Sequence, residues 1–190
     1  MATALTLESP RKLRSFVSDD EPSYEVIDGI RVELPPMSFF AKRLATVFSY
    51  KLESYGETQD RGFSVVEGLF GFTSPINRDR RPDVAFVTSQ RWPRTRPIPH
   101  PDDVWEMVPD LAVEIVSPSD KAEDLLGKIL EYFRAGVRLV WVVYPELSYV
   151  QVYESPTLIR GLLRTDTLDG GTVLPGFSLP LASLFPEPAA

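Results

Sequence analysis

The chain has 190 residues, 43% hydrophobic and 25% charged, with a formal net charge of −7, a composition that suits one globular unit with one core. It has no cysteine and one histidine, His100. Disulfides, thiolate zinc sites and multi-histidine zinc sites are excluded, so a catalytic metal should be a hard cation held by carboxylates.

Residues 1–22 are polar and read as a lead-in, without the apolar region and cleavage pattern of a signal peptide. No run of about 18 apolar residues occurs, so no membrane span and a cytoplasmic location are expected. The acidic balance argues against a general nucleic-acid coat but leaves room for a local basic patch.

Tyr24 to Leu34 holds two β-rich runs around Asp28-Gly29, a strong hairpin signal. That register sets Ile27 opposite Ile30 and Glu25 opposite Val32. Glu25 then shares a face with apolar residues, a costly place for a carboxylate without a partner. Pro35-Pro36 ends the hairpin. Residues 38–55 place Phe40, Leu44, Val47, Phe48 and Leu52 near helical spacing, with Gly56 as a stop. Gly62 to Phe72 should hold one or two strands. Residues 78–96 are arginine-rich, and Arg78, Arg80 and Arg81 are candidates for nucleic-acid contact, weighed against a plain solvated loop. Pro82 to Val87 reads as a buried strand opening at Asp83, and the prolines of 91–109 predict an irregular loop.

Asp110 to Val116 is a near-continuous apolar run of the kind buried on both faces, with Glu114 inside it. Ser117-Pro118-Ser119-Asp120 has capping-box form, and a helix should run to Ala135 and stop at Gly136. Its apolar stripe is Ala122, Leu125, Leu126, Ile129, Leu130 and Phe133, with Lys128 on the flank in line with Tyr132. Arg138 to Tyr144 is another buried strand, which completes a βαβ unit with a parallel pair. Tyr149 to Tyr153 should pair back through a short turn. Edge strands and a terminal helix follow. Residues 23–186 are expected to form one α/β (α+β) domain, with 187–190 a tail.

Asp83 alone reads as a turn residue, whereas Glu114 between Val113 and Ile115 must find a partner. On neighbouring strands the two acids would converge on one cation. A plain reading of Lys128 pairs it with Asp124 at i,i+4. No phosphate-loop pattern occurs, and one histidine in a proline loop makes a Ser-His-Asp site improbable.

The order YEVIDG, RPDVAFV, LAVEIVSPSD, Asp124-x-x-x-Lys128, YFRAGVRLVWVVYP and LPGFSLPLASLF resembles the Uma-type bacterial proteins of the PD-(D/E)XK nuclease superfamily, over roughly residues 20–186. The resemblance implies a restriction-endonuclease-like fold, a central mixed sheet flanked by helices with an N-terminal hairpin. It implies a metal-dependent endonuclease acting on DNA. Asp83 and Glu114 would bind Mg²⁺ or Mn²⁺, with the Ile115 carbonyl as a further ligand. The superfamily lysine falls where this chain has Val116; Lys128 takes its place in the Uma-type pattern, Asp124 precedes it, and Glu25 completes the site. Phe39-Phe40 stands where the family often has a histidine. A homodimer is also implied. Two alternatives are a non-catalytic binding or assembly module on the same fold and a metal hydrolase of another phosphoester.

Overall fold

The computed structural model describes residues 22–58, 60–72, 76–98, 104–185 and 187. His100 and nearly all of the lead-in lie outside these residues. Six strands build the main sheet in the order β10 (Ile159–Leu163), β9 (Tyr149–Tyr153), β8 (Leu139–Tyr144), β7 (Leu111–Ile115), β6 (Val84–Thr88) and β3 (Gly62–Val66). The β7–β8 pair is parallel and the other pairs are antiparallel. Every residue of β6 and β7 is buried, which accounts for their unbroken apolar runs.

A second sheet has the order β2 (Ile30–Glu33), β1 (Tyr24–Ile27), β5 (Arg78–Arg80) and β4 (Phe70–Phe72). The hairpin register is as expected, with Ile27 opposite Ile30 and Glu25 opposite Val32. Asp28 and Gly29 both have positive φ, as a tight two-residue turn requires. β5 departs from the expected arginine-rich loop. Its polar sequence hides a strand because its side chains meet carboxylates rather than apolar neighbours. β2 is exposed throughout, so the hairpin covers the site, not the main core.

α1 (Phe39–Glu57) begins at Ser38, whose hydroxyl accepts from the Ala41 N–H at 3.1 Å. It covers one face of the main sheet through Leu44, Phe48 and Leu52, beside the hairpin of β11 (Thr167–Gly170) and β12 (Leu174–Pro180). Phe40 is exposed rather than core. Gly56 does not stop the helix; it lies inside it, against the Gly62 backbone.

α2 (Ala122–Ala135) covers the opposite face with Ile129 and Tyr132. It starts later than the capping-box reading set it, because the Asp120 carboxylate folds Ser117–Asp120 into a turn by accepting from the Ser117 N–H at 2.8 Å. Gly136 ends it in the left-handed conformation and donates to the Tyr132 and Phe133 carbonyls. Leu126 and Leu130 of the expected stripe are exposed; the buried face turns toward Tyr132 and Lys128. Among the described residues no helix is long and apolar enough to cross a membrane.

Candidate active site

β6 and β7 run antiparallel with Val84 opposite Val113 and Ala85 opposite Ala112. One step further along the same ladder sets Asp83 opposite Glu114, on one side of the sheet. Glu114 pairs across to Val142, which belongs to the core under α2, so that side faces α2. Asp83 is fixed by the Ile115 N–H, which donates to its Oδ2 at 2.5 Å. This bond explains why an aspartate after Pro82 is more than a turn residue: it spans the two strands at their open end.

α2 supplies the other half. Lys128 and Tyr132 are four residues apart and share a face. Lys128 Nζ lies 2.8 Å from Glu114 Oε2 and 3.0 Å from Glu25 Oε1. The Tyr132 hydroxyl donates to Glu114 Oε1 at 2.6 Å. Arg80 Nη1 donates to the other oxygen of Glu25, Oε2, at 2.6 Å, and the Arg81 N–H donates to Oε1 at 2.9 Å. Arg80 in turn donates to Glu131, from Nε at 2.8 Å. The chain of contacts therefore runs from Glu131 through Arg80, Glu25, Lys128 and Glu114 to Tyr132, and joins the hairpin to α2.

The electrostatics follow from this packing. Burial, then the charge of Glu114, pushes the Asp83 pKa up to about 7, against the Ile115 N–H and Lys128. Glu114 is also raised, by burial first, although Lys128 and Tyr132 oppose the shift. Burial acts to raise Glu25, but Lys128, Arg80 and the Arg81 N–H outweigh it and hold the group low. Burial acts to lower Lys128, but the Glu114 and Glu25 charges outweigh it and keep the ammonium protonated. Tyr132 is raised well above the usual phenol range, by burial and then by the same carboxylates.

The structure thus brings Glu25, Asp83, Glu114 and Lys128 to one place. Lys128 meets Glu25 and Glu114, while Asp124 is exposed on the cleft wall. Arg78, Arg80 and Arg81 turn inward: Arg78 to Asp28 and Glu131, Arg80 to Glu25 and Glu131, and Arg81 to the Tyr24 and Glu67 carbonyls. Tyr132 and Glu131 are site-building residues that sequence reading missed, and Arg80, expected to contact nucleic acid, builds the site instead. The alignment of Tyr132 with Lys128 was a usable signal; the pairing of Arg80 with Glu131 was not, because only the fold brings them together.

A cleft of about 690 Å³ opens between the hairpin and α2 onto Glu114 and Lys128. Glu33, Asp120, Glu123 and Asp124 line its outer part, so a polyanion would meet repulsion there unless a cation intervened. Among the described residues no three Asp, Glu, His or Cys side chains form a metal cage by themselves. Asp83 and Glu114 nonetheless suit a hard divalent cation. They are oxygen donors facing across one ladder, and the charge of Glu114 raises the cost of ionising Asp83, a repulsion that a cation relieves. Magnesium in particular is commonly held by one or two carboxylates, with water and substrate phosphate completing its shell.

A family model described as "Uma2: Putative restriction endonuclease" matches residues 8–182. No curated protein matches the chain. Among solved structures the chain is similar to one described as a "putative nuclease belonging to DUF820" from Anabaena variabilis, at 19% identity. That match has a TM-score of 0.76 and covers 89% of this chain and 93% of the other, and it shows the shared fold.

Proposed function

Because the chain belongs to the Uma2 family, we propose that it is a metal-dependent endonuclease that hydrolyses DNA phosphodiester bonds. The observation that carries this reading is the juxtaposition of Asp83 and Glu114 at the open end of two paired strands, with Lys128 2.8 Å from Glu114. Asp83 and Glu114 would hold Mg²⁺ or Mn²⁺, with the Ile115 carbonyl as a further ligand. Bound there, the ion would polarise the phosphate and lower the pKa of a water.

The chain's own residues would do the rest. Lys128 is protonated, so it would orient the attacking water and offset charge on the phosphate rather than act as a base. Glu25 would fix the ammonium in place, and Arg80 would fix Glu25. Tyr132 would hold the second oxygen of Glu114, so that the carboxylate keeps one orientation. Two copies related by a two-fold axis would let one assembly cut both strands of a duplex.

The test is cleavage of single- and double-stranded DNA with Mg²⁺ or Mn²⁺. Asp83→Ala, Glu114→Gln and Lys128→Ala should each lose about 100-fold or more of the wild-type rate. Unchanged rates in all three would overturn the assignment. The acidic outer cleft favours a second reading, in which the fold serves as a non-catalytic binding module. Calorimetric titration separates the two: a module without the site would show no Mn²⁺ binding that depends on Asp83 and Glu114.

A further inference from the structure

At the site Lys128, Arg78 and Arg80 are taken up by carboxylates, and Lys121, exposed on the cleft wall, stands beside Asp120, Glu123 and Asp124, so a nucleic acid must find further positive charge elsewhere. Arg78, Arg80, Arg91, Arg94 and Arg138 all sit in ion pairs. Lys42, Arg43 and Lys51 have no carboxylate partner among the described residues, and all three are exposed on α1. They are interleaved with exposed aromatic rings: Phe39 at 89%, Phe40 at 42% and Tyr50 at 67% of full exposure. At 100° per residue, Phe39, Arg43 and Tyr50 fall within about 40° of one another. Lys42 flanks that row on one side, and Phe40 and Lys51 flank it on the other. The row is about 17 Å long. The first turn of α1 carries no acidic residue to offset the positive end of its dipole.

The position of α1 links this face to the site. Gly56, near its C-terminal end, packs on Gly62, which pairs with Thr88. Ser49, further toward its N-terminus, meets Ser64 at 2.9 Å. Phe39 therefore lies toward the end of the sheet where Val66 pairs with Val84 and where Asp83 stands. Leu34 and Pro35, just before the helix cap, line the catalytic cleft.

From this placement we infer that the outer face of α1 is a binding track for single-stranded nucleic acid leading into the site, with bases stacked on Phe39, Phe40 and Tyr50 and phosphates against Lys42, Arg43 and Lys51. Charge complementarity favours this occupant: three cations without a carboxylate partner, Lys51 resting over the Tyr50 ring at 5.8 Å, on one face of a chain with net charge −7 suit a polyanion. The exposed rings favour single over paired strands, because only unpaired bases present their faces for stacking. The inference deepens the nuclease reading and rests on its choice of nucleic acid.

The experiment measures fluorescence anisotropy of a labelled oligo(dT) of about 20 nucleotides, and of a duplex of equal length, in EDTA so that nothing is cleaved. Wild type should bind oligo(dT) more tightly than the duplex. Phe39→Ala/Tyr50→Ala should weaken oligo(dT) binding about tenfold or more and leave the duplex unchanged. Lys42→Gln/Arg43→Gln/Lys51→Gln should flatten the log–log salt slope by about 2. All the substituted side chains are exposed, so the fold should survive.

The track is overturned if wild type does not bind oligo(dT), or if both variants bind it as wild type does. It is also overturned if sedimentation finds a dimer that Phe39→Ala/Tyr50→Ala dissociates, since the face would then belong to a second copy. Binding that depends on α1 without any cleavage would keep the track and remove the nuclease reading. Cleavage with binding indifferent to α1 would do the reverse.

Discussion

Asp83 holds its proton to a pH where a solvated aspartate has long lost it, because burial and the facing Glu114 both disfavour its charge. The consequence for stability has a definite sign. The folded pKa is about 7 and the unfolded value 3.8, so the native state binds the proton more tightly. Stability from this group is fully present below the unfolded value and is lost as pH rises through the folded one. Asp83→Asn keeps an oxygen to accept from the Ile115 N–H and removes the charge. In EDTA it should melt at a higher temperature than wild type near pH 8 and at about the same temperature near pH 4. Thermal unfolding across that range is the check; a variant less stable than wild type by the same margin at every pH would contradict it. A site strained for its ligand commonly behaves this way, since what destabilises the empty fold favours the bound one.

Lys128 shows how far single residues were legible. Its sequence spacing favoured Asp124, yet Glu114 and Glu25 are its partners. The helical wheel already set it beside Tyr132, but the choice of buried face depends on what α2 packs against. Leu126 and Leu130 suggested one face, and the sheet selected another.

Among the elements, the strands with unbroken apolar runs and the turns with defined chemistry were readable. β6, β7 and β8 declare burial on both sides, Asp28-Gly29 declares a hairpin, and Gly136 declares a helix end. β5 did not declare itself, because its polar side chains are stabilised by Asp28, Glu25 and Glu131, which lie far away in sequence. Gly56 was misleading for a related reason. Helix propensity makes Gly a weak helix residue, so Gly56→Ala should help α1 by about 1 kcal/mol on propensity alone. A Cβ there would stand 2.2 Å from the Gly62 carbonyl oxygen, so α1 and β3 would have to separate. Gly56→Ala should therefore lower the midpoint of urea unfolding, and an unchanged or raised midpoint would contradict this close packing.

On the scale of the whole molecule, charge is sorted rather than spread. Arginines near the site neutralise carboxylates inside the fold, acids line the cleft around Glu33 and Glu123, and cations without carboxylate partners lie among exposed rings on α1. Net charge alone gave no hint of that sorting, since it follows from tertiary pairing. The chain's topology brings hairpin, β6, β7 and α2 to one point, and the order of motifs along the sequence was enough to anticipate that meeting. At that point Asp83 and Glu114 are proposed to share one divalent cation. Anomalous diffraction from a crystal soaked in Mn²⁺ tests it most directly. A manganese peak within bonding distance of both carboxylates is expected in wild type and none in Asp83→Ala. A peak elsewhere, or an unaltered peak in Asp83→Ala, would contradict it.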